Sequence, residues 1–220
     1  MKRVVLTILV LAFSLFSISA FAAGPVYNWN GFYVGLQGLY ADGHGDMGTD
    51  WKYVSGGERA DHSIDGWMGG GFIGYNYHFP FNLVMGIETD INAGDISGTG
   101  SCPGPGWACG TEMSWLGATR FRVGYAFYRF LPYIAIGGAY SQAKIYTQEI
   151  GISTKYGERN IYYGWTPAAG LEFAITNNLL ARLEYSYYDF GKERSEVDYD
   201  LLVDTKIKFH TVKFGLSWKF

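Results

Sequence analysis

After Ala23 the chain has no run of the ~18 unbroken apolar residues that a helix needs to cross a bilayer. Helical periodicity is also missing, which sets aside helical membrane proteins and helix bundles alike. Positive charge is scarce: 17 Lys and Arg stand against 20 Asp and Glu, a net charge of -3. No basic stripe exists, so no nucleic-acid partner is expected. Only four histidines and two cysteines occur. No acidic stretch has the regular Asp/Asn/Gly spacing of a calcium loop, so neither a metal nor a cofactor is expected. The cysteines, Cys102 and Cys109, flank a Pro- and Gly-rich stretch with no histidine beside it. In an exported chain such a pair reads as a disulfide stapling a loop, with two free thiols as the alternative.

Export is what the N-terminus predicts. Lys2 and Arg3 form a positive start, Val4 to Phe16 an apolar stretch, and Ala20-Phe21-Ala22 a small-x-small cleavage site. Residues 1–22 are therefore expected to be a signal peptide, and 23–220 one mature domain. A retained anchor fits less well, because the run is short and ends in small residues.

What the chain does have is alternation. In Lys213-Phe214-Gly215-Leu216-Ser217-Trp218-Lys219-Phe220, every second residue is apolar and the residues between are polar or Gly. This is the period of a strand with one apolar face. The terminal polar-x-Gly-x-x-aromatic-x-aromatic pattern, carried by Lys213, Gly215, Trp218 and Phe220, resembles the signal read by the outer-membrane barrel assembly machinery. Eight segments alternate in this way: about 31–40, 66–78, 83–92, 112–125, 131–144, 161–175, 179–188 and 206–220. Each is long enough to cross a bilayer as a tilted strand of ~9–11 residues. Tight turns and long polar links alternate between them. The expected fold is all-β: an eight-stranded antiparallel up-and-down transmembrane β-barrel with short periplasmic turns and long extracellular loops. Tyr 18, Phe 15 and Trp 7 supply residues for aromatic girdles at both interfaces.

The charges in the middle of these segments all fall on the inward parity. The acids are Glu88, Asp90, Glu172 and Glu184; the bases are Arg120, Arg122, Arg182 and Lys213. Arg or Lys at the lipid midplane costs ~2–4 kcal/mol, so this placement pins the register. Neighbouring segments complement one another, and an eight-stranded barrel is just wide enough to be filled by side chains. A lumen filled by ion pairs is expected, with a narrow charged pore as the alternative. Inward glycines, among them Gly74, Gly86, Gly170 and Gly215, make room for the Arg side chains or for water.

The loops say less. The first, 41–65, and the last, 189–205, carry an excess of acids. They read as solvated surface, or as places for divalent cations beside lipopolysaccharide. His44 and His62 in the first loop, with His210 on the last segment, are candidates for haem binding. His210-Thr211-Val212 lacks the nearby Ser of a barrel deacylase, so no enzyme is expected.

Several ordered motifs carry a resemblance. They are Asn28-Trp29-Asn30-Gly31-Phe32-Tyr33-Val34-Gly35, Ile73-Gly74-Tyr75-Asn76-Tyr77, Gly86-Ile87-Glu88-Thr89-Asp90 and Arg120-Phe121-Arg122-Val123-Gly124-Tyr125. Leu131-Pro132-Tyr133, Gly170-Leu171-Glu172-Phe173 and Leu183-Glu184-Tyr185-Ser186-Tyr187 complete the set. Together they resemble the porin-family small outer-membrane β-barrels of RopB-like, alphaproteobacterial type, with the eight strands of the OmpA/OmpX kind. The resemblance implies a monomeric barrel in the cell outer membrane with a role in envelope integrity and surface interaction. The alternatives are a small non-specific porin or a haem-binding surface receptor. Expected partners are outer-membrane lipids, lipopolysaccharide, the assembly machinery and a host-surface ligand. The Cys102/Cys109 pair and the loops match no motif of that family.

Overall fold

The computed structural model describes residues 26–51, 59–101, 107–149, 155–157, 159–198 and 201–220. The expected signal peptide and its cleavage site lie outside the described residues. Among the described residues there are nine strands: β1 Gly31–Trp51, β2 Arg59–His78, β3 Leu83–Ser101, β4 Trp107–Tyr125, β5 Phe130–Glu149, β6 Lys155–Tyr156, β7 Arg159–Ala174, β8 Leu179–Asp198 and β9 Leu201–Lys219. Eight of them form a closed antiparallel barrel, and β6 is a two-residue addition to the end of β5.

Closure runs through the C-terminal strand. β9 pairs with β1 from Tyr33↔Lys219 to Trp51↔Leu201 and with β8 on its other edge. The Phe220 amide then donates to the Phe32 carbonyl at 3.0 Å. A closed sheet leaves no unpaired edge, which a strand-built membrane protein requires because lipid offers no hydrogen bonds.

The period-two pattern sets which side each residue faces. Leu36 is 75% exposed, whereas the adjacent Gln37 is 6% exposed. The outer wall carries Phe32, Val34, Ile73, Ile87, Ile91, Phe121, Ile134, Leu183 and Leu216, all exposed. Aromatic rings collect at its two rims. Tyr40 and Trp67 pair at 4.9 Å near the outer rim, where Trp115, Tyr140, Tyr163, Trp165 and Tyr187 lie beside them round the barrel. Phe32 and Tyr75, at 4.7 Å, belong to the lower rim with Tyr77, Tyr125, Phe130, Phe173 and Trp218. From Phe32 to Tyr40 the strand advances about 26 Å at ~3.3 Å per residue, a rise of about 20 Å once tilted. That is close to the ~25 Å apolar band of outer-membrane barrels.

The turns at the lower end are tight. Asn82 and Tyr128 take left-handed conformations (φ 62° and 52°) in the β2–β3 and β4–β5 turns. Asn tolerates that region well, while Tyr128 is there because Phe127 and Phe130 exchange two hydrogen bonds of 2.8 Å around it. In the β7–β8 turn the Thr176 hydroxyl accepts from the Asn178 and Leu179 amides.

One expectation needs correction. The strands are longer than the apolar alternation implies, and most of the expected first and last loops is hairpin. β1 and β2 pair from Gly31↔Asn76 to Gly48↔Arg59, and β8 and β9 continue to Asp198↔Leu201. The reason lies in the solvent. Above the membrane the outward residues, such as Asp42 and His44, face water, so hydropathy no longer alternates although the backbone still does.

The interior is packed in three layers. At the periplasmic end the segment before β1 turns into the mouth: Trp29 is fully buried among Tyr27, Val84, Ala126, Leu131, Ala174 and Leu180. The middle layer is polar and charged. The outer layer is apolar and holds Leu39, Ile64, Met68, Ile96, Met113, Leu116, Tyr162 and the stacked rings of Tyr188 and Phe209, whose centroids are 5.0 Å apart.

Candidate functional site: the charged interior

All eight expected lumen charges face inward and are buried. Their partners, however, are only partly the ones on neighbouring strands. Glu88 and Arg120 stand opposite each other on β3 and β4, yet their closest oxygen and nitrogen are 3.3 Å apart. Shorter contacts join strands that are not adjacent. Arg182 on β8 reaches Glu88 on β3 at 2.6 Å, Arg120 reaches Glu184 at 2.7 Å, and Arg122 reaches Glu172 at 2.8 Å. Within the last pair, Arg122 Nη1 donates to Glu172 Oε1 at 2.9 Å. Arg120 further holds Asp90 at 2.8 Å, and Lys213 lies 3.3 Å from both Asp90 and Glu184. Arg122 also approaches Glu88 at 3.1 Å.

Four acids and four bases make the layer neutral, which burial demands. An ion taken from water loses several kcal/mol, and only close partners with further hydrogen bonds restore it. Uncharged residues supply those bonds. Tyr33 donates to Glu88 at 2.9 Å and accepts from Arg122 at 2.9 Å. Tyr133 donates to Glu184 at 2.7 Å. Gln37 accepts from Arg182 at 2.5 Å and donates to Asn92, which in turn donates to Asp90. Rings carry the guanidinium planes: Arg182 lies 3.7 Å over Phe72 and Arg122 4.0 Å over Tyr133.

The inward glycines serve these rings first. A Cβ on Gly74 would strike the Tyr33 hydroxyl, and one on Gly170 would meet the Tyr133 hydroxyl at 2.5 Å. Neither tyrosine was singled out from the sequence as part of the network, nor were Gln37, Asn92 and Ser186. The available signal was their shared inward parity with the charged residues.

The other expected site residues are placed as follows. Lys213 and Gly215 face inward, and Trp218 and Phe220 face lipid. Cys109 is buried on β4 and is not a free thiol; its expected partner Cys102 lies outside the described residues. The three candidate haem histidines are not brought to one point. His44 faces outward on β1. His62 is buried, faces inward on β2, and shares a hydrogen bond with Thr111 at 3.0 Å. His210 faces outward on β9, where its ring stacks on Tyr185 and their polar atoms meet at 2.6 Å. Among the described residues no group of three or more His, Cys, Asp or Glu could hold a metal ion.

This geometry agrees with what the chain is similar to. The family model for the outer membrane protein beta-barrel domain matches residues 8–220. The chain belongs to that family. The 31 kDa outer-membrane immunogenic protein of Brucella melitensis is 34% identical over 92% of this chain and 89% of the relative. The 22 kDa outer membrane protein of Rhizobium leguminosarum is 32% identical over 89% of this chain and 80% of its own. Among solved structures, the outer membrane protein OprG of Pseudomonas aeruginosa superposes with a TM-score of 0.58, covering 88% of this chain and 98% of OprG at 12% identity. At that identity the likeness concerns the fold alone. The barrel resides in the cell outer membrane, as its family and relatives do.

Proposed function

We propose that this outer-membrane barrel is a structural component of the envelope that does not conduct, and that its outer hairpins serve surface interaction. The observation that carries the reading is the packing of the interior in three successive layers, the middle one cross-linked by ion pairs between non-adjacent strands. Each lumen cation has a carboxylate partner, so none is left to select a passing ion. The long hairpins extend the barrel beyond the outer aromatic rim, where a surface ligand would meet them. Relatives named as immunogenic support that orientation. In this reading the barrel works as a monomer, surrounded by lipids and lipopolysaccharide, after the assembly machinery has read Lys213, Gly215, Trp218 and Phe220. No enzymatic step and no cofactor enter it.

The test is single-channel recording of the refolded mature protein in a planar bilayer, beside Arg120→Ala. Wild type stays silent while its folding is confirmed by heat-modifiable migration. Steady ohmic steps from wild type, altered in size by Arg120→Ala, would overturn the reading in favour of a small porin.

A further inference from the structure

The lumen and the periplasmic rim treat cations differently. Four lumen cations have carboxylate partners, whereas two rim cations have only neutral ones. Arg129, in the β4–β5 turn, donates to the carbonyls of Ala174 at 2.9 Å and Ile175 at 3.4 Å, and to the Asn177 side chain at 3.3 Å. Lys219 donates to the carbonyls of Asn28 at 2.7 Å and Asn30 at 3.1 Å. These bonds hold both head groups in place without neutralising them, and among the described residues neither makes an ion pair. Both line one open cavity of about 340 Å³, together with Val26, Tyr27, Asn28 and Asn177. Among the described residues no carboxylate side chain lines it.

Beside this cavity the wall turns apolar. Phe127, Phe173 and Ile175 are exposed, and the Phe130 and Phe173 rings pack at 4.8 Å. They belong to the lower aromatic rim, at the level where the head groups of the periplasmic leaflet lie. A charged socket below an apolar wall has the polarity of a phospholipid standing in that leaflet. Two uncompensated cations favour a head group with net negative charge over a zwitterionic one.

We propose that the cavity lined by Arg129 and Lys219 binds the phosphate head group of an anionic phospholipid of the periplasmic leaflet, whose acyl chains run up the wall beside Phe127 and Phe173. The site does not depend on whether the lumen conducts.

Native mass spectrometry of the folded full-length barrel tests this, after equilibration with equimolar phosphatidylglycerol and phosphatidylcholine of the same acyl chains. Wild type is expected to retain phosphatidylglycerol over phosphatidylcholine by roughly tenfold, falling about fivefold for each cation removed in Arg129→Gln and Lys219→Gln. Arg129→Lys keeps the preference. Should Lys219→Gln fail to fold, Arg129→Gln, a substitution at an exposed turn, carries the test. Equal retention of the two lipids by wild type, or a preference that Arg129→Gln leaves undiminished, would overturn the proposal. So would displacement of the lipid by millimolar inorganic phosphate, which would make the cavity a small-anion site.

Discussion

The middle and outer layers of the barrel interior occupy the same inward positions of the same strands and are chemically opposite. On β3, Glu88, Asp90 and Asn92 enter the charged layer, and Ile96, further along, enters the apolar one. On β1, Gln37 meets Arg182, while Leu39, two residues on, belongs to the apolar cluster. Inward parity therefore decides burial, but not what the buried group must be. The charged layer specifies partners by geometry and charge. The outer layer asks only for apolar volume that fits.

The two layers should fail in different ways. The largest effect is expected from Glu88→Ala, which takes a carboxylate from Arg120, Arg122 and Arg182 at once and should cost about 3–5 kcal/mol in urea unfolding of the lipid-embedded barrel. A loss below 1 kcal/mol would show that water already compensates these charges. The comparison sharpens with Arg122→Leu and Glu172→Leu made together. Removing both ends of the Arg122–Glu172 pair leaves no orphan between them, so the double variant should be more stable than Arg122→Leu alone. In the outer layer Leu39→Ala should cost about 2–4 kcal/mol through lost burial and the cavity left behind, with no coupling to Glu88→Ala beyond experimental error. Strong coupling would mean that the layers act as one unit. Gly170→Ala should cost about 1–3 kcal/mol in the same unfolding measurement, by pushing the Tyr133 ring off its place over Arg122.

The smallest effect lies outside both layers. Asp189 and Lys208 pair on the outer surface, beyond the apolar band. Burial alone would raise the Asp189 carboxyl. Hydrogen bonds from Lys208 and the Gly191 amide, with the nearby charges of Lys208 and Lys206, outweigh it and hold the carboxyl below its usual value. A depressed acid stabilises the fold above its unfolded pKa, near 4, and this contribution fades as pH falls through the lower folded value. Wild type should thus lose slightly more stability than Asp189→Asn between about pH 5 and pH 2. Parallel pH profiles would remove Asp189 from any role in stability.

Much of this was legible in the residues. Strict alternation with no competing helical period marked eight spanning strands, and the placement of Arg120, Arg122, Glu172 and Arg182 on one parity marked the inside. Two things escaped. Strand length beyond the membrane was hidden because water accepts polar residues on the outward face, as at Asp42 and His44. The tyrosines of the network, Tyr33 and Tyr133, were hidden because an inward aromatic reads as core until its hydroxyl has a partner. The histidines escaped for the opposite reason. His44 and His62 are close in sequence, but an even separation along one strand and a hairpin between two are different things, and β1 and β2 turn them to opposite faces.

By itself the sequence determined the element type, the side each residue faces and the neutrality of the charged layer, because each follows from a local period or a sum of charges. The tertiary structure alone decided which charges meet. Arg182 bonds Glu88 and Arg120 bonds Glu184 across the lumen because closure by β9 on β1 brings opposite walls within side-chain reach, and the stagger of the strands sets their heights. It also decided that Arg129 and Lys219, far apart in the chain, share one periplasmic cavity. Neither relation is present in any local stretch, since both are made only when the sheet closes.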